Sequence, residues 1–391
     1  MSTVGLSKSL ATEVIGRART LAPLLTEHAA EAERLRRPVD AVIRALEDAE
    51  IFKLMVPRRH GGFELDLDTF FDVGVALGEG DASMAWVANF YIEHNWILCH
   101  FPETFQEQIF AARGYVLAPV MFAPSGTAFR DGDGRRLRGR WQWASGIAHA
   151  DWVVPGALEM TDDGPPQAWL FAMPASDVRV EDTWYVDGMS GTGSADVVID
   201  DLFVPKERCL TMQEMMSGDG PGSQIHNGPL YRTPMFPILT LAAAMPALGQ
   251  ARVCVRRFRE RTQERVLLGG VKQVNRASVH IRLARAELLV TDAESLMRQT
   301  VQDVCARRNA ATIEDRARWA AQLALGVDYC KQAIRAMCEI SGGSTHFLNN
   351  PMQRALRDVE TLSSHMVFDL DQRLEVFGRA LLGLELSFPM V

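Results

Sequence analysis

The stretch that decides the fold begins Ile340-Ser341-Gly342-Gly343. It resumes at Asn350-Pro351-Met352-Gln353-Arg354-Ala355-Leu356-Arg357-Asp358 and closes with Ser364-His365-Met366. Two adjacent glycines end a helix, because glycine carries the largest backbone-entropy cost and tolerates positive φ. Pro351 suits the first turn of the next helix, where a missing N–H costs little. Arg357, Asp358 and His365 then follow in what reads as one helix. Seven residues make about two helical turns, so Asp358 and His365 are expected on roughly the same face.

Outward from this stretch, long segments with helical periodicity cover about 237–265, 271–305, 313–341 and 353–383. Four such helices predict a bundle. The uncharged run Thr233 to Ala251 is about long enough to span a bilayer. Pro234, Pro237 and Pro246 interrupt it, and Ile238 to Met245 suits a buried helix better. Residues 213–233, with Gly218, Gly220, Pro221, Gly222 and Gly228, read as a loop or mobile cover. Between Tyr115 and Pro205 short alternating runs such as Trp152-Val153-Val154 and Val197-Val198-Ile199 predict strands. Turns such as Asp131-Gly132-Asp133-Gly134 separate them. The first 110 residues are helical in pattern: Val14 to Leu35, Pro38 to Glu50, Leu67 to Gly78, a helix capped at Asp81 that runs through Trp86, and a further one holding His94, Trp96 and Phe101. The expected division is an α-helical domain over 1–110, a β-domain over 111–212 and a four-helix domain over 213–391.

The composition is that of an ordinary globular chain, 47% hydrophobic and 23% charged over 391 residues. A net charge of −8 disfavours nucleic acid or an anionic membrane as the main partner. Six scattered cysteines, without CxxC or zinc spacing, read as reduced thiols and point to the cytoplasm. The first 30 residues carry charges throughout and lack the apolar core of a signal peptide.

Five groups of residues carry candidate chemistry. They are His365; Trp141-Gln142-Trp143-Ala144-Ser145-Gly146; His94 within Tyr91-Ile92-Glu93-His94-Asn95-Trp96; Gly188 to Asp196, with Thr192 and Gly193; and Glu264-Arg265-Val266-Leu267-Leu268-Gly269. Each has a plainer alternative: a packed histidine, a turn serine beside structural tryptophans, a β-loop, a solvated helix-end arginine. His94 and His100, six residues apart, fall on different helix faces, so a shared metal is not expected. No Walker motif and no convincing GxGxxG occurs.

The order of helical region, β-region and long helices, with Gly-Gly, loop, Pro and Arg-Asp, resembles the acyl-CoA dehydrogenase fold over nearly the whole chain. Dehydrogenases of this fold often carry a glutamate base about two turns after Arg-Asp, with a glycine just beyond. Here the slot reads His365-Met366-Val367, which is similar to the flavin-dependent monooxygenase branch. Met121-Phe122-Ala123-Pro124-Ser125-Gly126 also lacks the dehydrogenases' Thr-Glu and Gly-Ser-Asp pattern, and Leu268 stands where a phenylalanine is usual.

The resemblance implies the oxygenase component of a two-component aromatic hydroxylase of the hydroxyphenylacetate type. Its cofactor would be reduced flavin, FMNH2 or FADH2, brought by a separate NAD(P)H:flavin reductase. Its substrates would be O2 and a small phenolic or heteroaromatic molecule, oxidised through a C4a-hydroperoxyflavin. It implies that Trp143, Ser145, Gly146, Thr192 and Gly193 meet the flavin, with Ser145 near N5. Arg265 would reach the flavin phosphates, across a subunit interface of a homotetramer. His365 would be the base, suited by a pKa near neutrality. His94 would orient the substrate, and Phe122 and Trp143 would help keep the site dry. Alternatives are an acyl-CoA dehydrogenase or nitroalkane-oxidase-like FAD enzyme, an N- or S-monooxygenase of the same fold, and a non-enzymatic binding protein. The apolar tail Leu384 to Val391 is expected to dock on a neighbouring subunit.

Overall fold

The computed structural model describes residues 3–161 and 164–388. The chain opens with α1 (Thr3–Leu35) and α2 (Asp40–Asp48), whose Val42, Ile43 and Leu46 point inward at helical spacing. α3 (Leu67–Gly80) leads straight into α4 (Ala82–Leu98). The junction is Asp81, whose carboxylate accepts the Met84 N–H at 2.9 Å and so caps α4. All 17 residues of α4 are buried, the polar Ser83, Asn89, Glu93, His94 and Asn95 among them, which makes it a central helix packed on all sides. The two short helices expected on either side of residue 90 are therefore one continuous element, with Phe101 just beyond its end. α5 (Glu103–Phe110) completes this part.

Among the described residues eight strands follow: β1 (Val120–Asp131), β2 (Gly134–Ala144), β3 (Trp152–Glu159), β4 (Gln167–Phe171), β5 (Met173–Pro174), β6 (Arg179–Glu181), β7 (Ala195–Pro205) and β8 (Cys209–Thr211). Their order is β6-β7-β2-β1-β3-β4-β8, with β5 on β3. β1 and β3 run parallel, and the other pairs are antiparallel. Trp141 is wholly buried at the centre of this sheet and donates its indole N–H to Gly156 O at 2.6 Å.

The segment expected to be a loop or cover is folded instead. It holds α6 (Met212–Ser217) and α7 (Pro221–Ile225) and packs on the N-terminal helices. Thr211 and Glu214 form a capping box on α6. The Tyr231 hydroxyl donates to Met55 O at 2.9 Å, and Gln106 Oε1 accepts from His226 Nε2 at 2.8 Å. Buried Met215, Ser223 and Tyr231 give this segment a core of its own contacts, which glycine content alone did not suggest.

α8 (Met235–Glu264), α9 (Ala277–Arg307) and α10 (Ile313–Ser341) are the long helices of the C-terminal part, each a little shorter than α1. Among the described residues α8 is the one helix long and apolar enough to cross a bilayer, and 94% of that apolar window is buried inside the protein. It packs on α3 backbone to backbone: a Cβ on Gly249 would lie 2.3 Å from the Gly78 carbonyl carbon. Gln250 fills the remaining contact by donating to Gly78 O at 2.6 Å.

The last expected helix is two. α11 (Pro351–Ser363) begins as predicted, with Asn350 accepting the Met352 N–H and Pro351 in the first turn. It stops after Ser363, and α12 (Leu370–Leu381) follows a separate turn. Asp358 and His365 thus do not share a helix face; His365 lies beyond the helix, in extended backbone. The cause is local polar competition. Ser363 and Ser364 both turn their hydroxyls back to Glu360 O at 3.0 Å, and His365 Nδ1 accepts the Val367 N–H at 3.3 Å. The fourth place of the bundle is filled by this broken pair packed on α10. Of the expected tail, residues 389–391 lie outside the described residues. Phe388 folds back over Arg373 of its own chain, 5.4 Å from the guanidinium.

Candidate active site

The site grows from the turn after β2. Trp143 has a φ of +66° and stands 63% exposed, an unusual pair of properties for tryptophan. Its strained backbone lets Ser145 N bond Trp143 O at 2.8 Å. Gly146, at φ +80°, packs directly on α4: a Cβ there would sit 2.5 Å from the Tyr91 hydroxyl oxygen. That hydroxyl donates to Gly146 O, and Gly146 N donates to Thr192 O at 2.9 Å. The turn is therefore locked between α4 and the 188–194 loop.

This lock aligns three hydroxyl groups. Thr192 Oγ1 is 2.8 Å from Met189 O and 2.7 Å from Ser194 Oγ, which is 2.7 Å from Ser145 Oγ. A carbonyl can only accept, so Thr192 donates to Met189 O, Ser194 to Thr192, and Ser145 to Ser194. The Ser145 oxygen is left as the acceptor end of the chain. One lone pair takes the Trp86 indole N–H at 3.2 Å, and the other is available to a further N–H donor.

Trp86 belongs to α4 and opens a row of rings at four-residue spacing. Trp86 and Phe90 have centroids 4.8 Å apart, and Phe90 and His94 are 5.2 Å apart. His365 closes on Trp86 from the other side, with centroids 5.8 Å apart, and Phe368 flanks it at 6.4 Å. Ser145, His365 and His94, far apart in sequence, are thus joined by one aromatic wall. Trp86 and Phe90 were missed as site residues. Their four-residue spacing with His94 was the available signal, but it reads equally as a core face.

Both histidines are neutral at physiological pH. Burial, and then the nearby Arg373 guanidinium, push His365 down to about 4. The expectation of a pKa near neutrality is therefore replaced by a ring that stays uncharged. Because Nδ1 accepts the Val367 N–H, its proton resides on Nε2. Burial takes His94 down to about 3, against the opposing hydrogen bond to Ala118 O at 2.7 Å.

Other expected residues stand differently. Gly193 faces the end of α1, where a Cβ would lie 3.1 Å from Arg36 O, and offers no open surface there. Phe122 is half-buried in the irregular part of β1 between Met121 and Gly126. Trp143 is too exposed in this chain to exclude water; Trp86 and Phe90, each 7% exposed, form the dry wall. Arg265 is remote from this cluster. It ends α8 and donates to Ser341 O at 2.5 Å, beside Gly342. No group of histidine, cysteine, aspartate and glutamate able to hold a metal is found among the described residues.

The arrangement fits a reduced flavin by one structural test. Ser145 presents a lone pair for an N–H, next to an exposed aromatic face, and reduced flavin carries an N5–H. Comparison with known proteins agrees. Residues 241–370 match the family model for the acyl-CoA dehydrogenase C-terminal domain. The chain is 32% identical over 382 residues to a pigment production hydroxylase of Rhodococcus sp. (strain ATCC 21145), covering 97% of this chain and 99% of that one. It is 29% identical to the FADH(2)-dependent resorcinol hydroxylase, oxygenase component, of Rhizobium sp. (strain MTP-10005), over 95% and 94% of the two chains. The structure of XiaF from Streptomyces sp. in complex with FADH2 and glycerol superposes with a TM-score of 0.93 at 27% identity, covering 100% of both chains. The chain belongs to the flavin-dependent monooxygenases built on the acyl-CoA dehydrogenase fold, the oxygenase components of two-component hydroxylases.

Proposed function

We propose that this oxygenase hydroxylates a small phenolic or heteroaromatic molecule with O2 and a flavin delivered in reduced form by a separate NAD(P)H:flavin reductase. The observation that carries the reading is the hydroxyl chain ending as an acceptor at Ser145, next to a neutral histidine and a row of aromatic rings. Reduced flavin supplies the electrons that activate O2. Ser145 accepts its N5–H, while Trp143 and Gly146 border the ring and Thr192 fixes the direction of the hydroxyl chain. Arg265 is the phosphate ligand in this reading, and its placement at the end of α8 agrees with service to a neighbouring subunit.

His365 presents Nε2–H beside Trp86. In that tautomer it donates to a phenol or phenolate oxygen, and it has no free lone pair with which to act as a base while Nδ1 accepts the Val367 N–H. His94 orients the far end of the substrate. The row of Trp86 and Phe90 excludes water, which favours oxygen transfer to carbon over release of peroxide. A carboxylate base of the dehydrogenase type has no counterpart beside Trp86, where His365 stands.

The assembly in this reading is a homotetramer working in the cytoplasm. Its support is apolar surface on helices that a bundle would otherwise keep polar. Ile281 and Leu288 of α9 are 69% and 64% exposed, and Leu268 and Leu348 are exposed as well. A monomer by light scattering at micromolar concentration would refute this.

The decisive experiment mixes the protein with photoreduced FMN or FAD, O2 and a panel of phenols. Hydroxylated product at the expense of hydrogen peroxide is expected. Peroxide alone with every phenol, or reduction of bound oxidised FAD by an acyl-CoA, would overturn the reading.

A further inference from the structure

Glu93, the neighbour of His94 in α4, has no exposed surface, and neither of its carboxyl oxygens has a hydrogen-bond partner. Its Oε2 lies 3.3 Å from His94 Nε2, which is also unpartnered and buried. The side of the helix is fixed by neighbours one turn away. Asn89 donates to Ala242 O of α8 at 3.4 Å, and Trp96 donates to Leu230 O at 3.1 Å. Three unpaired polar atoms therefore meet where α4 faces the start of α8, at the end of the aromatic row away from Ser145.

The protonation of this pair follows from its partners. Ala118 O can only accept, so His94 carries its proton on Nδ1 and shows a lone pair on Nε2. Burial alone raises Glu93 well above the usual carboxyl range, so it keeps its proton, and a small rotation of its carboxyl group lets Oε2, 3.3 Å away, donate to that lone pair. The pair is then uncharged as a whole, and no arginine or lysine pairs with either member among the described residues. The second carboxyl oxygen stays free. An unpaired carboxyl group in an apolar interior lowers stability, and leucine would fill the same space without that cost.

We propose that Glu93 is a positioning residue for the hydroxylation site: it holds the orientation of the His94 ring, whose tautomer Ala118 O sets, and makes this end of the aromatic row select a neutral hydroxyl group over an anionic one. The inference rests on the aromatic-hydroxylase reading above. A hydroxyl both donates and accepts, so it can satisfy the free carboxyl oxygen of Glu93 and sit beside His94. A carboxylate at the same place would bring a charge into a buried end where no cation pairs with Glu93 or His94 among the described residues.

The test needs no turnover. Phenol and benzoate are titrated calorimetrically into wild type, Glu93→Gln and Glu93→Leu, anaerobically, both without flavin and with saturating reduced flavin. Thermal unfolding is recorded for each. Wild type should bind phenol more tightly than benzoate. Glu93→Gln, which can still donate to Nε2, should stay within about threefold for phenol, whereas Glu93→Leu should lose about tenfold, the scale of one good hydrogen bond. Glu93→Leu should melt at or above the wild-type temperature, and the 15N signal of His94 Nε2 should shift as it loses its partner, while Nδ1 stays protonated on Ala118 O. Wild-type phenol affinity and an unchanged His94 signal in Glu93→Leu would overturn the proposal. So would benzoate binding as tightly as phenol, or a Glu93→Leu protein destabilised enough to explain its weaker binding. If wild type hydroxylates no phenol at all, the functional reading fails, yet these binding and 15N data still decide the role of Glu93.

Discussion

At the scale of single residues, the direction of a few hydrogen bonds separates the roles of Ser145 and His365. Ser145 is the acceptor end of a chain that Met189 O polarises through Thr192 and Ser194. Ser145→Ala should weaken reduced-flavin binding about tenfold, the scale of one hydrogen bond, and cost about 1–3 kcal/mol of stability by leaving the Trp86 indole N–H unpaired. Titration with photoreduced FMN and FAD checks it, and unchanged affinity for both would remove Ser145 from the site. His365→Ala should bind flavin normally but slow product formation by roughly 10- to 100-fold, the scale of one hydrogen bond to a developing phenolate, with peroxide formed instead. If His365 were only a packed residue, its loss would cost about 0.5–3 kcal/mol of stability and leave the ratio of product to peroxide untouched. Measuring that ratio in a folded variant tells the two apart.

At the scale of elements, α11 matters less for His365 than for what Asp358 does. Asp358 Oδ1 accepts the Met189 N–H at 2.6 Å, which ties α11 to the loop carrying Thr192 and Ser194. Glu33 of α1 pairs with Arg354 at 2.9 Å and Arg357 at 2.5 Å on the same helix. Burial first, and then the neighbouring Asp81, push Asp358 up. Asp358→Ala should leave a buried N–H unpaired and cost about 1–3 kcal/mol, whereas Asp358→Asn keeps an acceptor there and removes the carboxylate repulsion. Chemical denaturation at pH 8 should therefore rank wild type and Asp358→Asn close together and Asp358→Ala well below. Equal losses in the two variants would show that the carboxylate charge, not the tie to Met189, is what this element supplies.

For the whole molecule, burial of imidazoles sets the response to acid. His100, His226 and His365 are each held down to about 4, and His94 to about 3, mainly by burial. The unfolded chain takes up these protons first, near the ordinary value of 6.5. Their contribution is thus full above about pH 6.5 and declines as pH falls toward about 4. Asp81 and Asp358, whose values are raised, work in the opposite sense, gaining protonation in the folded chain as pH falls. Glu93 joins them, and His60 is also lowered by burial, so five histidines stand against three carboxyls and unfolding temperature should drop from pH 6.5 to pH 4.5. A flat or rising profile across that range would contradict the burial of these rings. What the sequence determined by itself was local or periodic: the helix stop at Gly342-Gly343, Pro351 in the next first turn, the long apolar face of α8 and the alternating strands. These depend on backbone freedom and on spacing along the chain, and both can be read from residue order. The break after Ser363 was legible in principle, yet three polar residues that can bond their own backbone also occur inside helices. Only the tertiary structure decided that Trp86 joins Ser145 to His365, that residues 213–233 are folded onto α4 and α5, and that Glu93 is buried without a partner. Each of these depends on which side chains far apart in sequence are brought within a few ångströms, and on how much water is then excluded between them.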